Sequence, residues 1–74
     1  MKKYSNRLIK KILKILSNHG SNFDYKTTTI LYDKLKNRHF SNFSELSEAI
    51  ISAMDDLEIE IDSSFVVNTI YTQT

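Results

Sequence analysis

The chain predicts an all-α fold, a small bundle of three or four helices forming one domain over residues 1–74. Two amphipathic stretches and the turn chemistry carry this expectation. In Phe43–Leu57, the apolar residues Phe43, Leu46, Ile50, Met54 and Leu57 recur at spacings of three and four, the period of one helix face. Residues 3–17 repeat that pattern with a wider apolar arc. One glycine and no proline leave few sharp turns, which disfavours barrels and sandwiches. The alternative architecture keeps three helices and closes with a C-terminal β-hairpin, in a winged-helix-like arrangement.

In residues 3–17, Tyr4, Leu8, Ile9, Ile12, Leu13, Ile15 and Leu16 cover nearly half the circumference. Lys3, Arg7, Lys10, Lys11 and Lys14 line the opposite side. Such a broad apolar face touches two neighbours, so this is a core helix. Gly20 is placed to end it in a left-handed C′ conformation.

The next helix is predicted over residues 23–37, with Phe23, Thr27, Ile30, Leu31 and Leu35 facing inward and Ser21 with Asp24 as a capping box. The run Thr27–Thr29 opposes it, because β-branched residues lose rotamer freedom in helices. Lys34 falls inside the apolar arc, where its stem is expected to lie on the core while the ammonium reaches water. Pairing with Glu45 or Glu48 is the lesser alternative. The pentapeptides starting at His19 and His39 match at four of five positions. We read them as two similarly built loop-to-helix junctions.

In the third helix Asn42 caps the first turn and Glu45 supplies the reciprocal half of a capping box. Small Ala49 and Ala53 admit a close neighbour, while Glu45, Glu48, Asp55 and Asp56 take the wet side. The tail is ambiguous. Leu57–Asp62 alternates like a half-buried strand, and the following residues are β-branched and aromatic. Yet Asp62-Ser63-Ser64 lacks the glycine or asparagine of a tight hairpin. We therefore read a short last helix capped by Asp62 or Ser63, with Phe65, Val66, Thr69 and Ile70 inward and Thr72–Thr74 frayed.

Charge is the most informative feature of the composition. All ten Lys and Arg lie between Lys2 and Arg38 with only Asp24 and Asp33 among them, a formal +8. From residue 39 onward there are seven acidic residues and no Lys or Arg, a formal −7. Such asymmetry points to a charged partner, or to basic and acidic helices that pair within the fold.

Little in the chain suggests catalysis. His19 and His39 stand alone in loops, without the third and fourth ligands of a zinc site. Gly20 by itself makes no phosphate loop, and no G-x-S-x-G frames a serine. Glu58, Glu60 and Asp62 would share a face only on a strand, where a solvated acidic edge is the expected role. No cysteine supplies a thiolate or a disulfide. We expect no catalytic, cofactor or metal site, and no membrane span, since no apolar run approaches about 18 residues. The start lacks the h-region of a secretory signal, so a soluble cytoplasmic protein is expected.

The expected function is a non-enzymatic interaction module, a regulator, inhibitor or adaptor, that docks another protein through Lys3, Arg7, Lys10, Lys11 and Lys14. The alternative is a nucleic-acid-binding regulator that adds Lys26, Lys36 and Arg38 to that stripe. Apolar surface left over by so short a chain also suggests a homodimer, whose symmetric pair would set basic halves near acidic ones.

Overall fold

A computed structural model describes residues 4–20 and 22–74. Its four helices are α1 (Asn6–Ser17), α2 (Tyr25–Leu35), α3 (Phe43–Asp56) and α4 (Ser63–Gln73). They form a ring in which α1 packs on α2 and α4, and α3 packs on the same two. Helices α1 and α3 are therefore diagonal, as are α2 and α4. The Asn37 N–H donates to the Asn6 side-chain oxygen, joining the end of α2 to the start of α1. His19 against Phe65 and Phe43 against Tyr71 likewise set α4 antiparallel to α1 and α3. The result is an up-down-up-down bundle.

The core draws on every helix. Ile9, Ile12, Leu13 and Leu16 from α1 meet Leu31 and Leu35, Leu46 and Ile50, and Val66 and Ile70, all essentially inaccessible. Three of these pairs come from the spacings that predict the helices. Ile30, expected inward, is instead 39% exposed. It lies one position before Leu31, and Leu31 and Leu35 already fill α2's share of a narrow seam.

Caps determine where each helix begins. Helix α1 starts at Asn6, three residues later than the apolar pattern suggests, because the Ser5 hydroxyl accepts from the Leu8 N–H at 3.1 Å. Buried Tyr4 and Ile9 then occupy the N′ and N4 positions of a hydrophobic staple. Asp24, rather than Ser21, caps α2, accepting from the Thr27 N–H at 2.8 Å; Ser21 lies outside the described residues. Its threonines fit the helix because Thr28 and Thr29 donate to the carbonyls of Asp24 and Tyr25 four residues back. In α3, Asn42 caps as expected at 2.9 Å, but Glu45 accepts from the Ser41 N–H, one residue earlier than a reciprocal box requires.

The histidine-led pentapeptides do not build equivalent junctions. Asn22 sits in the left-handed region at φ 61° before the Asp24 cap, whereas Asn42 is itself a cap in extended conformation. Gly20 is not left-handed either. A Cβ there would lie 3.1 Å from a Phe23 ring carbon and 3.5 Å from the Glu60 carbonyl. Close approach of the Phe23 ring, not backbone freedom, explains this glycine.

No hairpin forms, and the described residues contain no strand. Leu57 and Glu58 turn out of α3, and residues 59–62 form a connector in which Ile59 is buried and Ile61 half-buried. Its period-two alternation thus survives without a ladder partner beyond an isolated bridge at Glu60. Asp62 caps α4 by accepting from the Ser64 N–H at 2.9 Å. Val66, Thr69 and Ile70 are buried along one face, with Phe65 half-buried. Helix α4 continues to Gln73, through two of the three residues expected to fray, and the Thr72 hydroxyl donates to the Asn68 carbonyl.

One junction is strained. After the Leu57 cap, Glu58 adopts φ 56° while Glu58 and Ile59 donate to the carbonyls of Asp55 and Met54. That is the Schellman pattern, in which C′ is usually glycine. A left-handed side-chain-bearing residue costs about 1–2 kcal/mol, and glycine returns about 0.4–1 kcal/mol of that through the unfolded chain. Glu58→Gly should therefore stabilise the bundle by about 1 kcal/mol, or about 4–8 °C in Tm for a domain of this size. A thermal melt followed by circular dichroism reads this; an unchanged or lower Tm would show that the turn carries no strain.

Candidate interaction surface

The cations expected to bind a partner project from the outer side of α1. Arg7, Lys10, Lys11 and Lys14 are all exposed, while Ile9, Ile12, Leu13 and Leu16 between them are sealed in the core. Lys3, the remaining member of the stripe, lies outside the described residues. Lys10 leans toward α2, its ammonium 5.8 Å from the centre of the Tyr32 ring, a cation–π contact. The others leave α1 toward solvent.

The acidic counterpart is on α3. Glu45, Glu48, Asp55 and Asp56 are exposed, and α3 lies diagonally across the ring from α1 rather than beside it. The molecule measures 33 × 23 × 18 Å, and exposed charges more than about 8 Å apart are largely screened at physiological ionic strength. The stripes of α1 and α3 form no ion pair with each other among the described residues, whereas the basic end of α2 does pack beside acidic α3. Among the described residues the one ion pair is Lys36–Asp33, at 3.2 Å within a single turn. An exposed pair of this kind is worth about 0–1 kcal/mol.

Two grooves flank α3, separated by a ridge of Glu48 and Ser52. The first, about 560 Å³, runs between α3 and the end of α2. Lys34, Arg38 and His39 face Glu45, Glu48 and Asp56 across it, so its charges offset one another at longer range. Lys34 is exposed there, as its expected snorkelling requires, and forms no ion pair with Glu45 or Glu48. Arg38 is held over the Phe40 ring at 5.1 Å.

The second groove, about 500 Å³, lies between α3, the 57–62 connector and the start of α4. Its apolar lining is Ile51, Met54, Ile59, Ile61 and Val66, with Glu48 and Asp55 at the rim and no basic residue. Sequence reasoning did not find this groove. Its signal was available in Ile51, which stands outside the main α3 stripe, and in the alternation of Ile59 and Ile61.

The remaining polar groups have structural roles. The His19 ring packs against Phe65 with centroids 4.5 Å apart and planes tilted by 52°, and joins the end of α1 to α4. Hydrogen bonds from Thr27 hold the Asp24 carboxyl below its ordinary pKa, as expected for a helix cap. Glu58, Glu60 and Asp62 do not gather: one closes a helix, one sits in the connector and one caps α4. No three His, Asp or Glu side chains among the described residues are placed to hold a metal. The Ser47 hydroxyl is buried without a hydrogen-bond partner, a cost to stability. None of the helices among these residues is long and apolar enough to cross a membrane. Compared with known proteins, the chain matches no family model, no curated protein and no solved structure, so its function must be argued from this surface.

Proposed function

We propose that the chain is a non-enzymatic interaction module, a small cytoplasmic regulator, inhibitor or adaptor that docks another protein through its charge-polarised surface. The diagonal placement of α1 and α3 carries this reading. Basic and acidic stripes that do not neutralise each other keep opposite potentials on opposite sides, and such potentials steer association with a complementary partner.

Nucleic acid is the second reading. It is favoured by the open cations of α1 and by Lys26 beside Tyr25, which is 87% exposed and free to stack on a base. Affinity capture from native extract with and without nuclease separates the two. A partner retained after nuclease, with negligible wild-type binding to duplex or single-stranded nucleic acid at physiological salt, is the expected result. Tight binding to nucleic acid that weakens steeply with salt would establish the second reading instead.

A further inference from the structure

The groove between α3 and α4 joins features that the rest of the surface keeps apart. Ile51 and Ile61 are half-buried along it, and beneath them Met54, Ile59 and Val66 form an apolar floor. Around this floor the charge is of one sign. Glu48 and Asp55 line the rim, and the last turn of α3 contains no basic residue. That helix end already carries partial negative charge from its aligned peptide dipoles. Asp55, Asp56 and Glu58 add formal charge to it, where Lys or Arg would ordinarily be favoured. The neighbouring groove differs at this point, since Lys34 and Arg38 supply the opposite charge from within the chain.

We infer that the α3–α4 groove is the docking site for a basic amphipathic helix of a partner protein, a deepening of the proposed function on which it rests. An apolar groove walled by α3 on one side and by the connector and first turn of α4 on the other accepts a helix through anchors at i, i+3, i+4 and i+7. Lysines or arginines flanking those anchors would meet Glu48 and Asp55 at the rim. A second copy of this chain is a worse occupant. Its basic helix has committed Ile9, Ile12, Leu13 and Leu16 to its own core, so it could offer cations to the rim but no apolar anchors to the floor.

The probe is a synthetic Leu/Lys amphipathic peptide of about 14 residues, four helical turns, with a Leu/Glu peptide of identical apolar spacing as control. Both are titrated into the isotope-labelled full chain while backbone amide shifts are followed. Shifts should concentrate at Ile51, Met54, Ile61 and Val66 with the lysine peptide, and the glutamate peptide should bind at least about tenfold more weakly. Glu48→Lys with Asp55→Lys, both exposed and harmless to the fold, should weaken the lysine peptide by about tenfold or more. Ile51→Lys should do the same through the floor. Shifts centred on Lys34 and Arg38, diffuse shifts over all carboxylates, or equal binding of both peptides would overturn the assignment. Groove shifts that depend on protein concentration alone would also overturn it, in favour of a second copy. Failure here together with nuclease-resistant capture of a protein would remove the groove and leave the interaction module standing. Groove binding together with capture only of nucleic acid would do the reverse.

Discussion

Leu46→Asp and Ile50→Asp are each expected to leave the chain unfolded at room temperature. Both side chains are completely inaccessible, at the centre of α3 where it meets α2 and α4. An aspartate there would be an isolated carboxylate with no cation in the core to pair with it, and burial of an unpaired charge is among the most costly of single substitutions. The domain has little stability to lose. A chain of this length buries only about 60–65% of its unfolded surface, and natural domains hold about 5–15 kcal/mol in total, with small ones at the lower end. Truncation of a core leucine alone typically costs about 2–5 kcal/mol, so Leu46→Ala should melt well below wild type and the aspartate variants should show no cooperative transition. Circular dichroism melts decide the matter. A wild-type melt for either aspartate variant would mean that α3 buries another face.

Reversal of the α1 stripe should have the opposite profile, a large effect on association and a small one on stability. Arg7, Lys10 and Lys14 are exposed, and glutamate is a good helix former. Near the ends of α1 the helix dipole favours the change at Arg7 and opposes it at Lys14. The specific loss is the Lys10 contact with Tyr32, worth about 0.5–1 kcal/mol at an exposed site. None of these three cations forms an ion pair among the described residues, so none is broken. The Arg7→Glu, Lys10→Glu, Lys14→Glu variant should therefore melt within about 1 kcal/mol of wild type. Association with an acidic protein partner should meanwhile slow by about tenfold or more at low salt, with the difference shrinking as salt rises. A large drop in Tm would mean that the stripe serves the fold. Unchanged association rates would remove α1 from the binding surface.

Much of this was legible in the residues. The periods of three and four in 43–57 and in 3–17 identify α3 and α1 and most of the core, because those segments are long enough for periodicity to outweigh local preference. The misreadings have a common origin in short-range signals. Glu58 takes a glycine's conformation while Gly20 does not, since one is fixed by helix-end hydrogen bonds and the other by the approach of Phe23 and Glu60. The alternation of 57–62 was real but marked an extended connector. Nothing local distinguishes a strand from a segment whose alternate residues merely reach a core.

Composition and periodicity by themselves determined that the chain is helical, which faces of α1 and α3 are apolar, and that its charge is divided between its halves. These are properties of residue order along one helix, and elementary geometry reads them. Whether the two charged helices meet depended on the order of helices around the ring, which the tertiary structure alone decided. With α1 and α3 on a diagonal, their charged stripes form no ion pair among the described residues, and both remain on the surface. The same packing brought Ile51, from the flank of α3, beside Ile61, from the connector, and made a groove that neither segment contains. Contacts between residues distant in the chain arise from how the apolar faces close on one another, and no window of sequence records that closure.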